Sequence, residues 1–231
     1  MFIGKIVKSD SHINYVCQIY GPREVELEPS PVDYAFGRFV RVAVRSEQAD
    51  DPDARLDLAL GLSYEPKTYA IGVIYDTILL NPAFGSLGPR LSNETQVELF
   101  SPDYISEKAV LIYVMVLGMV EQRRTPNGDF EVLSVMHGVP LLSLELGSEI
   151  ETLMDEEVRA FHFFSDTNDS EKREYLHMGY LPQIIAGRNS LLPMVTLQII
   201  DQLEQLFPQN LSLLSIVKRN FAWRLKVETT G

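Results

Sequence analysis

Period-two alternation dominates the first two-thirds of the chain. In "INYVCQIY" the residues Ile13, Tyr15, Cys17 and Ile19 interleave with polar or smaller partners, the signature of a half-buried strand. "IGKIVKS" predicts a short strand before it, and "GPREVELEPSP" supplies turn chemistry around another. In the stretch "YAFGRFVRVAV", Phe39, Val40, Val42 and Val44 favour a strand, while Arg38, Arg41 and Arg45 mark a wet side. "KTYAIGVIYDTILL" is a further strand. The apolar run Ala109 to Val120, too short for a bilayer and rich in β-branched residues, reads as a central strand or strand pair. Phe130 to Met136 follows it through "RRTPNGD", where Asn127-Gly128 is a hairpin signal. "HGVPLLSLELGSEIETL" closes the region with a proline turn and a last apolar segment. Six or so short strands punctuated by glycine and proline point to a small barrel or sandwich. Gly37, Gly72 and Gly118 then read as bulges or bends where the sheet closes.

From about Asp155 the period changes to that of a helix. "DEEVRAFHFF" has helical charge spacing, and a polar linker leads onward with Ser170 as an N-cap. After Pro193, Val195, Ile199, Leu203 and Leu206 form one apolar stripe, which "FPQN" ends. Leu214, Val217, Phe221 and Leu225 form another, with Lys218, Arg219 and Arg224 near its end, where cations suit the helix dipole. The expected fold is α+β overall: a mainly β N-terminal barrel over 1–159 and a short helical C-terminal unit over 160–231.

Charge and cysteine content narrow the function. The 231 residues carry a net charge of -12, which disfavours a nucleic acid or an anionic membrane surface as the main partner. A basic protein surface suits such a chain better. The single cysteine, Cys17, permits no internal disulfide and no thiolate cluster, and its strand position reads as a buried, inert thiol. The opening residues show no cationic segment with a long apolar run, so a cytoplasmic protein that is not integral to a membrane is expected.

Chemistry-bearing motifs are sparse. His12, His137, His162 and His177 are scattered, with no i,i+4 pair and no H-E-x-x-H, so they read as isolated or supporting residues, and no metal is expected. "SDSH" is a turn before it is a triad, and no G-x-S-x-G is present. The acidic "DDPD" from Asp50 lacks the alternation and glycine of a calcium loop. Gly187 to Ser190 reads as a turn and cap ahead of a helix, not an anion cradle. The aromatics Phe161, Phe163, Phe164, Tyr175 and Tyr180 straddle the junction of strands and helices, as glue or as a partner-binding surface.

"GKIVKSDSHINYVCQIY", "AFGRFVRVAV", "YAIGVIYDTILLN" and "HGVPLLSLELGSEIETL", in that order, resemble the HAS-barrel. This is the small N-terminal β-barrel of HerA-type hexameric translocases and rotary ATP synthase ring subunits. The resemblance spans about residues 1–159 and implies that Gly37 lies at a strand bend, with Phe36 and Phe39 facing the core. The chain departs from the family behind the barrel. It has no GxxxxGK[ST] phosphate loop, and the roughly 70 remaining residues are too few for a RecA-like ATPase. Barrels of that family sit side by side in rings. The resemblance therefore implies a non-enzymatic assembly or adaptor module, without cofactor, that forms a homo-oligomer or docks onto a protein partner. Arg38, Arg41 and Arg45 would meet the acidic loop of a neighbour, and Phe161, Phe163 and Arg188 are further interaction candidates. The competing expectation is a small-molecule or nucleotide-binding regulator, or a hydrolase, with a site around His162, His177 and Arg188.

Overall fold

The computed structural model describes residues 1–22, 24–44, 66–80, 109–124, 130–163 and 175–228. Its strands are β1 Phe2–Ser9, β2 Asn14–Ile19, β3 Phe39–Ala43, β4 Lys67–Leu80, β5 Ala109–Arg124, β6 Phe130–His137 and β7 Glu149–Thr152. They form one antiparallel sheet in the order β2-β1-β7-β3-β4-β5-β6, and an extra β2–β5 pairing closes six of them into a barrel. The helices follow: α1 Asp155–His162, α2 Leu181–Ala186, α3 Leu192–Leu206 and α4 Leu211–Glu228. The expectation of a β-barrel followed by helices holds. β4 spans the whole of "KTYAIGVIYDTILL" as expected, whereas β5 takes Ala109 to Val120 into a single strand and runs on to Arg124.

The continuous apolar run in β5 follows from burial on both faces. Ile112, Val114 and Val116 join Ile3, Tyr15, Cys17, Val40, Ala70, Ile74 and Ile150 inside the barrel. The intervening Met115 and Leu117 join Ile71, Val73 and Tyr75 of β4 on the outer wall. There they meet Val195, Ile199, Ile200 and Leu203 of α3. A strand covered on both sides needs no polar alternation. The α3 stripe lies as expected, and so does Leu214 of α4, which is fully buried.

β5 also serves two partners along one edge. Leu111 to Met115 pair with β2, and Gly118 to Arg124 pair with β6. Gly118 sits at the changeover, where a Cβ would fall 2.1 Å from the Met136 carbonyl oxygen. Gly72 likewise marks a register shift, as a barrel bend requires. Gly37 differs from expectation. It precedes β3 with φ +80, and its missing Cβ makes room for Gln198 of α3. Gln202 of the same helix donates to the Gly37 carbonyl at 2.8 Å. Phe39 is core, as expected, but Phe36 is 39% exposed. The segment "GPREVELEPSP" contributes a bridge between Pro22 and Val25 in place of a strand. The Asn127-Gly128 turn, the Ser170 cap and the Asp50 loop lie outside the described residues.

Gly118→Ala should lower stability by about 1–3 kcal/mol through forced strand separation, and Leu203→Ala by about 2–5 kcal/mol through a cavity under α3. Urea unfolding of both variants checks these values.

Candidate functional site

The helices meet the barrel wall through histidine and aromatic rings. His162, the last residue of α1, is fully buried. Its Nδ1 lies 2.8 Å from the Val158 carbonyl, which can only accept, so that nitrogen carries the proton. Nε2 is therefore the acceptor for the Tyr180 hydroxyl at 2.6 Å. His137, at the end of β6, is held the same way. Its Nδ1 accepts the Gly179 N–H at 3.1 Å, and its Nε2–H donates to the Phe161 carbonyl at 2.9 Å. The His137 ring centre lies 6.0 Å from that of His162 and 6.4 Å from that of His177. The backbone N–H of His177 donates to the His162 carbonyl at 2.8 Å. Phe161 stacks with Tyr180 at 6.0 Å, and Phe39 meets His162 edge-on at 5.4 Å.

Three of the four histidines thus gather, contrary to the expectation that they stand isolated. The fourth, His12, contacts the Pro140 carbonyl at 2.7 Å. Burial lowers the pKa of His137 and pushes that of His162 down to about 3. It raises that of the Tyr180 phenol. Both rings are neutral, with every ring nitrogen of His137 and His162 engaged inside the chain. No ring nitrogen of the pair is left to take a proton from a substrate, and the arrangement works as a clamp.

Arg41 forms a second clamp. From β3 it donates to Glu151 of β7 at 2.8 Å and pairs with Glu157 of α1. Its guanidinium lies 4.8 Å from the centre of the Tyr69 ring. Glu157 also accepts the Met154 N–H that opens α1, at 2.9 Å, so one carboxylate caps the helix and ties it to the barrel. The arginine expected on a wet face is only 14% exposed.

The other expected site residues disperse. Phe161 is 1% exposed, a core residue and not part of a surface, and Phe163 packs on Phe207 with ring centres 5.6 Å apart. The reading of these aromatics as glue holds for Phe161, Phe163 and Tyr180, whereas Tyr175 is exposed and Phe164 lies outside the described residues. Arg38 is half-buried, with its Nε unpartnered among the described residues, and Arg45 lies outside them. Arg188 is exposed, in a turn where the Asn189 side chain accepts the Leu191 N–H at 2.8 Å. Cys17 is fully buried, and burial raises its thiol pKa to about 12, as expected. Among the described residues no cluster of histidine, cysteine and carboxylates is placed to hold a metal ion, and no helix is long and apolar enough to cross a membrane.

Among the described residues, two open surfaces stand out beside the exposed Leu213, Ile216 and Trp223 of α4. One is the connection between β6 and β7, which exposes Val139, Leu141, Leu142 and Leu146. The other is a groove of about 570 Å³ at the end of the barrel where β2 leaves and β5 begins.

A family model matches residues 1–230. The chain belongs to that family, described as Domain of unknown function (DUF8166). No curated protein matches the chain in sequence. The match runs through strands and helices alike.

The clamps have measurable consequences. His162 has a folded-state pKa below its ordinary value of 6.5, so the unfolded chain binds the proton first as pH falls. Its contribution is complete above pH 6.5 and is lost toward pH 3, at up to about 1.4 kcal/mol per pH unit. Urea unfolding between pH 7.5 and 5 should show this slope, and His162→Gln should reduce it. Separately, Arg41→Met should cost about 2–4 kcal/mol by leaving two half-buried carboxylates without a cation. Adding Glu151→Gln and Glu157→Gln should recover most of that loss, as read from denaturation midpoints.

Proposed function

We propose that this chain is a non-enzymatic assembly or adaptor module that self-associates or docks onto a protein complex through a HAS-like barrel. The observation that carries the reading is the β6–β7 connection, an apolar surface held in place from beneath. His12 donates to the Pro140 carbonyl, and the Tyr15 hydroxyl accepts the Leu144 N–H at 3.0 Å. Gly147 donates to the Ile6 carbonyl at 2.8 Å, and Ile6 donates back to Ser148 at 2.9 Å. These bonds fix the backbone while Leu141 stays 88% exposed, Leu146 70%, Val139 59% and Leu142 54%. Exposed apolar side chains on an ordered backbone favour binding, because little ordering entropy remains to be lost on contact.

The internal engagement of His137 and His162 supports the same reading over a hydrolase at the junction. The resemblance of the strands to the HAS-barrel adds the expectation of side-by-side packing. Within the arginine set, Arg41 is committed inside the chain, so a contact with a neighbour's acidic loop falls to Arg38 and Arg45. The acidic balance of the chain favours a basic partner surface.

Light scattering across a concentration series tests the self-associating form: the mass of the purified chain should exceed that of the monomer and fall to it in Leu141→Asp/Leu142→Asp. For the docking form, affinity purification at low salt should retain a partner that the double variant loses. A monomer at every concentration, with no partner sensitive to the substitutions, overturns the reading.

A further inference from the structure

The groove at the barrel end arises because two strands part. β2 and β5 are paired as far as Gln18 and Leu111, and beyond that point Ala109 and Val110 pair with β4 alone. The chain leaving β2 supplies Tyr20, Glu24, Glu28 and Tyr34 to the lining of the opening, and β4 supplies Leu79 and Leu80. Leu79 is 74% exposed and Leu80 47%.

The chemistry of this opening suits a cation on a hydrocarbon stem. Lys5 already demonstrates it: its ammonium lies 3.2 Å from Glu24 and 5.9 Å from the centre of the Tyr20 ring. An ammonium is attracted both by carboxylates and by the face of an aromatic ring. Glu28 lines the same groove, is exposed, and has no ion pair among the described residues. Tyr34 lines it too, with its ring packed in part against the barrel interior, which fixes its position. Leu79 and Leu80 in the same lining offer apolar contact for the methylenes of a lysine or arginine. An isolated metal ion would leave those leucines unused, and a phosphate would meet the Glu28 carboxylate, of its own sign.

We propose that this groove binds an extended, lysine- or arginine-bearing segment of a partner protein. The inference rests on the docking form of the function above but uses a different face from the β6–β7 connection. The net charge of -12 draws such a segment to the whole surface, while the tyrosines and Glu28 determine where it settles.

The test uses a dye-labelled peptide alternating lysine with proline and leucine, titrated with the full chain and followed by fluorescence anisotropy. Glu28→Lys and Tyr34→Leu should each weaken binding by about tenfold. Glu156→Lys on α1, which changes the net charge as much but does not line the groove, should change it by no more than about twofold. Thermal melts establish that each variant is folded, and Tyr34→Phe replaces Tyr34→Leu if the latter unfolds, with about a twofold loss expected. Equal losses from Glu28→Lys and Glu156→Lys, or no binding by the unaltered chain, overturn the proposal. Binding retained by Leu141→Asp/Leu142→Asp, whatever its oligomeric state, separates the groove from the apolar connection.

Discussion

Burial of β4 and β5 on both faces is the constraint from which the rest of the molecule follows. Their inward side chains fill the barrel and their outward ones, among them Ile71, Val73, Met115 and Leu117, require a cover. Helix α3 supplies it, with Val195, Ile199, Ile200 and Leu203 buried against that wall. Without the helices, the barrel would expose a broad apolar flank to water. The barrel and the helical segment therefore depend on each other for burial, although the change in sequence period between them reads as a boundary.

Two polar devices hold α1 in place, one to β3 and β7 and one to the start of α2, and they work differently. Arg41 with Glu151 and Glu157 is a charged clamp at the rim, where partial solvation limits the cost of desolvation. His162 with Tyr180 is a neutral clamp in the interior, where every polar atom must find a partner or carry a large penalty. Burial that would be expensive for an imidazolium is tolerated by a neutral ring with a carbonyl on one side and a hydroxyl on the other. The same bonding engages every ring nitrogen of His137 and His162 inside the chain.

Much of the architecture was legible in the sequence because it rests on local periodicity. The alternation of Tyr15, Cys17 and Ile19 marked β2, and the stripe of Val195, Ile199 and Leu203 marked α3. The inert character of Cys17 followed from its strand. The competing expectation sets His162 and His177 at one junction, but His137 was not legible as their neighbour, because tertiary packing brings it from β6 with no short spacing to either. The apolar "HFF" at the end of α1 was the available sign that His162 is buried. Arg41 misled for a related reason. Its alternation correctly placed it opposite the barrel interior, but the acidic side chains that cover it come from β7 and α1, far along the chain. Gly37 was recognised as special, yet its role comes from the approach of α3, which no local pattern contains.

The border formed by β6 has a consequence of its own. Glu121 faces Ser134 and Gln122 faces Val132, so Leu133 has no opposite number on β5. This extra residue interrupts the outward row of amides and carbonyls halfway along the strand. A passing strand could dock only a few residues before losing step, so stacking of barrels through this border into fibres is disfavoured. The exposed leucines of the β6–β7 connection thus follow directly on a border at which strand pairing ends and does not propagate.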